Sequence, residues 1–101
     1  MTTQQVLDEQ QFLEIAAILR QRIVADAELK GEGKKFTLTV LDGLISSVKV
    51  HGARQHGLTK KMLMVAMTVF KKMFDDPANT DEEKAVLDSL LVMVLHGIKA
   101  R

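Results

Sequence analysis

Residues 36–52 read FTLTVLDGLISSVKVHG, and this stretch decides the fold class because it fits two different periodicities. As a helix, it aligns its apolar residues in one stripe made of Val40, Leu41, Leu44, Ile45 and Val48. Thr39 followed by Asp42 then resembles a capping box, and His51 with Gly52 resembles a helix end. The periodicity therefore predicts a helix across this stretch.

The same stretch also fits a β-hairpin at residues 36–50. Apolar and threonine residues alternate before a turn at Asp42 and Gly43, and valines alternate with polar residues after it. We favour the helix because a lone two-stranded ribbon needs a cover, whereas a helix joins a bundle directly. The predicted fold class is all-α, a compact bundle of about four helices, with α+β as the alternative.

The rest of the chain predicts three further helices. The first spans about residues 4–30 and exits at Gly31, Glu32 and Gly33, with Lys34 and Lys35 completing a solvated connector. Thr59 caps a helix that runs to about residue 74, before a break around Pro77. Thr80 and Glu83 form a capping box for the last helix, which ends near residue 98 and is expected to lie centrally because its apolar arc is wide.

Composition sets the class of protein. The chain has 101 residues, 47% of them apolar and 27% charged, which is the balance of an ordinary globular domain, so we expect one helical domain over residues 1–101. Cysteine is absent, which excludes disulfides and sulfur-ligated metals. The N-terminus lacks a secretory pattern, and the apolar runs at 62–67 and 90–95 are too short to cross a bilayer. We expect a cytoplasmic protein without membrane contact.

Catalytic patterns are weak throughout the chain. His51, His56 and His96 lie beside or one residue from glycines near predicted helix ends, and His51 and His56 are spaced wrongly for a two-histidine metal site. No serine stands in a glycine-framed elbow, and no glycine loop is followed by Lys-Ser or Lys-Thr. We expect no enzyme activity, no metal and no cofactor.

Charge segregation supplies the main functional signal. From Gly43 to Phe74 the chain has no acidic residue, and the third helix has pairs of lysines near both ends. Residues eleven apart on a helix lie within about 20° of each other, so Lys60 with Lys71, and Lys61 with Lys72, are predicted to line one basic face. Such a face is either a solvated surface or an interface. Met64 lies among the lysines and favours the interface.

A helix-turn-helix spacing overlaps the basic face. Its small, glycine and apolar positions are Ala53, Gly57, Leu58, Leu63 and Ala66. This alternative places Thr59, Lys60, Lys61 and Met64 at the DNA groove, with Arg54 or His56 near phosphate. Two departures weaken it: Gly52 stands where an apolar packing residue belongs, and the second helix lacks Arg, Asn and Gln to read bases.

A second apolar stripe is predicted on the first helix. Ile15, Ile18 and Leu29 fall away from its main apolar arc, which suggests a homodimer contact, although scattered surface aliphatics are also normal.

The sequence thus predicts a non-enzymatic regulatory or adaptor protein that binds an acidic or amphipathic partner, most simply a protein. The predicted contact residues are Arg54, His56, Lys60, Lys61, Met64, Lys71 and Lys72. The alternative is a small helix-turn-helix-like DNA-binding regulator.

Overall fold

Four helices account for the regular structure in the part of the chain that the computed structural model describes, residues 8–50 and 57–100. They are α1 (Glu9–Ala25), α2 (Gly31–Lys49), α3 (Lys60–Phe74) and α4 (Asp81–Lys99). The described residues contain no β-strand. The predicted all-α bundle is confirmed, and the alternative hairpin at 36–50 is wrong.

Side-chain caps fix three of the helix starts. Thr59 Oγ1 accepts the Met62 N–H at 3.2 Å, and Thr80 and Glu83 exchange two hydrogen bonds of 3.1 Å each. These two predicted caps are confirmed. Sequence reasoning missed a third, a capping box in which the Gln11 N–H donates to Asp8 Oδ1 at 2.7 Å.

The predicted end of the first helix is wrong, because α1 ends at Ala25 rather than near residue 30. Asp26 has extended backbone, and its carboxylate accepts the N–H groups of Glu28 at 2.9 Å and Leu29 at 3.3 Å. An aspartate that binds the backbone two and three residues ahead stabilises a turn in competition with the helix. At the other end, residues 4–7 of the predicted helix lie outside the described part.

The predicted connector at residues 31–35 is also wrong, because these residues form the first turn of α2. Gly31 begins the helix from the left-handed region, with φ of +61°. A Cβ at Gly33 would come within 3.3 Å of Leu29 Cδ1, so the glycine lets Leu29 pack against the helix. Lys34 Nζ donates to the Val24 carbonyl at 3.0 Å and so contacts the last turn of α1.

The hydroxyl residues of α2 fit a helix by bonding to its own backbone. Thr37, Thr39 and Ser47 each donate to the carbonyl four residues earlier, at 2.6, 2.8 and 3.1 Å. The predicted capping box of Thr39 with Asp42 is therefore wrong, since Thr39 lies inside the helix. Thr37 is fully buried, and its internal bond satisfies a hydroxyl that would otherwise be costly to bury. The predicted helix end at His51 and Gly52 lies outside the described residues.

All four helices contribute to one core. Its buried apolar side chains are Phe12, Ala16, Leu19, Ile23, Val40, Leu41, Leu44, Leu58, Leu63, Ala66, Phe70, Val86, Leu87, Leu90 and Val94. The helix α4 contacts each of the other three, as does α2. Within residues 8–50 and 57–100, no helix combines the length and the apolar content needed to cross a bilayer.

The entry into α3 depends on two glycines. Gly57 has φ of +81°, and it precedes Leu58, which is buried. Gly43, in the middle of α2, lies under Leu58: a Cβ at this position would come within 3.2 Å of Leu58 Cδ1. One glycine therefore turns the chain and the other makes room for the side chain that anchors the start of α3 against α2.

Gly57→Ala is expected to lower the free energy of unfolding by about 1 kcal/mol, because a side chain disfavours left-handed backbone. Apart from the chain neighbours, no heavy atom of the described residues lies within 4 Å of a Cβ at this position, so a clash with them does not contribute. Thermal unfolding followed by circular dichroism should show a melting temperature lower by about 4–8 °C. Gly57→Asn, the matched control, should lose less stability because asparagine tolerates a left-handed backbone conformation better than alanine does. An alanine variant as stable as the wild type contradicts the left-handed turn.

Candidate binding groove

A groove runs between α3 and α4 and coincides with much of the predicted basic face. It encloses about 700 Å³. Its lining consists of Lys60, Met64, Met67, Thr68, Lys71, Lys72, Asp75, Leu95 and Ile98. We call this surface the α3–α4 groove.

The floor of the α3–α4 groove is apolar and partly open to solvent. Met64 is 54% exposed and Leu95 is 40% exposed, which are high values for large apolar side chains, whereas Met67 and Ile98 are half-buried. Val92, one turn before Leu95 on α4, is also exposed. Contiguous exposed apolar side chains rimmed by polar ones are typical of an interaction surface.

Core packing explains why the groove faces outward. Leu63, Ala66 and Phe70 bury one side of α3 in the core. At about 100° per residue, Lys60, Met64 and Lys71 fall within about 40° of one another and roughly 80–120° from the centre of the buried side. Burial of Leu63, Ala66 and Phe70 in the core therefore leaves Lys60, Met64 and Lys71 on an adjacent side of α3, where they line the groove together with residues of α4.

The basic face is narrower than predicted. Lys61 projects toward α2, where its Nζ lies 5.9 Å from the centre of the Phe36 ring and 3.8 Å from Glu32 Oε2. Lys72 lies 3.9 Å from Glu28 Oε2. Lys60, Lys71 and Lys72 line the groove, whereas Lys61 does not, so the predicted face of four ammonium groups is reduced to three at this surface. Lys61 differs by about 100° from Lys60 around the helix axis and lies on the side of α2.

Lys60 and Lys71, which lie on the rim of the groove, are the groove lysines whose charge is not compensated by an ion pair within the described part of the chain. Neither forms an ion pair with any of the described residues, and the first turn of α3 has no acidic side chain. Lys60 is the first residue of α3, at the positive end of the helix dipole. The groove thus combines an apolar floor with a lysine near each end of the α3 segment that lines it, and Asp75, one turn after Lys71, adds one carboxylate to the lining.

The other predicted contact residues are Arg54 and His56. Arg54 and His56 lie outside the described residues, as do Ala53 and His51. Leu58, Leu63 and Ala66, the apolar positions of the helix-turn-helix spacing, are buried. The preceding helix, α2, ends at Lys49.

The predicted dimer stripe is not one continuous surface. Leu29 lies after the end of α1, and both Ile15 and Leu29 pack against the core. Ile18 remains 54% exposed. The homodimer stays a prediction, and of its three predicted contacts only Ile18 has the expected exposure.

A polar cluster that sequence reasoning missed joins α1 to the connection between α3 and α4. Arg22 donates to Asn79 Oδ1 and Glu83 Oε2, both at 2.8 Å, and to Asp76 Oδ2 at 3.3 Å. Asn79 Nδ2 donates in turn to the Met73 carbonyl at 2.6 Å at the end of α3. Arg22 thus fixes the α3–α4 connection and, with it, the spacing of the two helices that form the groove.

A second cavity of about 360 Å³ lies next to this cluster, between α1, residues 26–29 and α3. Its polar lining includes Arg22 and Lys72 together with Asp26, Glu28 and Asp76. Arg22 is already bonded to Asp76, and charges of both signs offset one another here. Among the described residues, no three histidine, aspartate or glutamate side chains are grouped to hold a metal ion.

Comparisons with models of known protein families, with curated proteins and with solved structures found no match to this chain.

Glu83, a member of the Arg22 cluster, is expected to make a pH-dependent contribution to the stability of the fold. Hydrogen bonds from the Thr80 backbone and side chain and the proximity of Arg22 outweigh burial and lower the pKa of Glu83. A carboxyl whose pKa is lower in the folded state stabilises the fold above its unfolded pKa, near 4.3, and this contribution is lost as the pH falls through the folded value.

Glu83→Gln is therefore expected to lower the free energy of unfolding by about 1 kcal/mol at pH 7, with little difference from the wild type at pH 3. Urea unfolding at the two pH values measures this. Glu82→Gln is the matched control, since Glu82 shares the first turn of α4 but forms no ion pair within the described part of the chain. Equal losses for both variants at pH 7 would mean that the helix dipole, and not the contacts of Glu83 with Thr80 and Arg22, is responsible.

Proposed function

We propose that this protein is a non-enzymatic regulatory or adaptor protein that binds an acidic or amphipathic protein partner through the α3–α4 groove. The observation that carries the proposal is the exposed apolar floor of Met64 and Leu95 between Lys60 and Lys71. Neither the exposed apolar floor nor the two lysines would by themselves distinguish an interface from an ordinary solvated surface. Their coincidence in one groove supports an interface.

The floor supports burial by a partner. Methionine is flexible and polarizable, so it adapts to the surface that covers it and is common in binding grooves. Covering a large apolar side chain that is half-exposed contributes on the order of 1 kcal/mol at about 25 cal/mol per Å². Met64 and Leu95 can therefore act as the centre of a modest interface, with the half-buried Met67 and Ile98 beneath them.

The rim supports an acidic partner. Lys60 and Lys71 are free of ion pairs among the described residues, and the pairs made by Lys61 and Lys72 are long and largely exposed. Surface pairs of this kind contribute about 0–1 kcal/mol, so a partner carboxylate can replace either of them at little cost. The three lysines of the groove lining, Lys60, Lys71 and Lys72, are thus available to speed association and to select against basic partners.

DNA binding is the second candidate, supported by the left-handed turn at Gly57 followed by buried Leu58, Leu63 and Ala66. The position of Lys61 against α2 weighs against it, since this candidate needs Lys61 at the DNA groove. DNA binding also leaves the apolar floor without a role. We therefore rank it below protein binding.

Photo-crosslinking in the native cell tests the proposal. A benzoylphenylalanine in place of Met64 should form a discrete protein adduct, whereas the same group at Lys35, an exposed position of α2, should not. Adding Lys60→Glu and Lys71→Glu should reduce the adduct about tenfold, which corresponds to a loss of about 1.4 kcal/mol.

The control for the charge change is Lys35→Glu with Lys84→Glu, which removes the same charge from exposed positions outside the groove and should leave the adduct intact. An adduct that nuclease removes favours DNA binding. Equal adducts at Met64 and Lys35, or no adduct at Met64, contradict the proposed function.

A further inference from the structure

We infer that the occupant of the α3–α4 groove is an amphipathic α-helix of the partner protein, with acidic side chains beside its apolar stripe. This inference rests on the proposed function and adds the secondary structure, length and charge pattern of the partner segment.

The shape of the groove suits a helix. The helices α3 and α4 pack against each other and are joined by only residues 75–80, a connection short enough to make them antiparallel neighbours. The depression between two packed antiparallel helices accepts a third helix through the same interdigitation of side chains that packs a bundle. An added helix would place its apolar residues against Met64, Met67 and Leu95.

The length of the rim sets the length of the segment. Lys60 and Lys71 are eleven residues apart, or about 16 Å along the axis of α3. A partner helix of about 11–15 residues spans this distance and presents an apolar residue at about every third or fourth position to the floor. Carboxylates about three turns apart on its flank would reach both lysines.

The charges select an acidic flank. Lys60 lies at the positive end of the α3 dipole, where a cation is unfavourable, and it forms no ion pair with a described carboxylate. A glutamate or aspartate of the partner would neutralise this end. Nucleic acid offers phosphates to the lysines but no apolar stripe to cover Met64 and Leu95, so the floor favours a helix over DNA or RNA.

Three synthetic peptides test the inference. Each has 15 residues, high helix propensity and the same leucine stripe, and they differ only in flanking Glu, Gln or Lys. The full-length protein is labelled with ¹³C at its methionine methyl groups, and each peptide is titrated at low salt. Met64 and Met67 line the groove and should shift, whereas Met73 and Met93 lie elsewhere and should not.

Affinity should fall in the order Glu, Gln, Lys, with at least about a tenfold difference between the Glu and Lys peptides. The difference should shrink in 1 M salt, where screening acts over about 3 Å. Lys60→Glu with Lys71→Glu should reverse the order, while Lys35→Glu with Lys84→Glu should preserve it. Reversal by charge exchange is a result that loss of folding cannot produce.

Several outcomes overturn the inference. Equal affinity for the three peptides would contradict it, as would the absence of chemical-shift changes at Met64 and Met67. Shifts of these methyl signals on raising the protein concentration alone would identify a second copy of the chain as the occupant. A protein adduct at Met64 in cells together with no peptide binding would leave the proposed function standing and reject the helical partner. Failure of both experiments rejects both proposals.

Discussion

Burial of Leu63, Ala66 and Phe70 fixes the rotation of α3 about its axis, and the arrangement of the candidate site follows from it. A helix cannot rotate about its axis without exposing these side chains, and full burial of the two large ones, Leu63 and Phe70, contributes about 1.5–3 kcal/mol each. With that side held in the core, Met64 and the two lysines of its row must lie beside α4. The groove is therefore a consequence of core packing, and its apolar floor is what the core leaves uncovered.

The position of α2 explains why the basic face is divided. Leu58 packs over Gly43, which holds the start of α3 close to α2. This approach brings Lys61 onto Phe36 and near Glu32, away from Lys60. On the other side of the molecule, Arg22 links α1 to the α3–α4 connection. Contacts from α1 and α2 thus set which lysines remain at the groove.

Much of the fold could be predicted from local sequence signals. The period of α3 and the caps at Thr59 and Thr80 depend on nearby residues, and they are confirmed. The helix over Val40, Leu41 and Leu44 is also confirmed, although its start was misplaced. Glycines 31 and 33 were interpreted as a linker because a sequence pattern does not reveal that Leu29 packs closely against one of them.

The site was predicted only in part, for a physical reason. Lys60, Met64 and Lys71 share one row of one helix, which periodicity alone can identify. Leu95 and Ile98 belong to the wide apolar arc of α4, and periodicity does not separate the exposed members of this arc from the buried ones, because exposure depends on how α4 is rotated against α3. The Arg22 cluster joins residues more than fifty positions apart and has no local signature. Tertiary contacts of this kind decide the site once the helices are known.

We propose that Met64 contributes to binding of the partner and not to the stability of the fold. The most direct measurement is the free energy of unfolding of Met64→Gln in urea, paired with the yield of protein adduct from a photo-crosslinker at Leu95 in the same variant. We expect the free energy of unfolding of Met64→Gln to lie within about 0.5 kcal/mol of the wild-type value, as for an exposed position, and the yield of protein adduct to fall clearly. A variant that is strongly destabilised, or one that retains the full adduct, would contradict it.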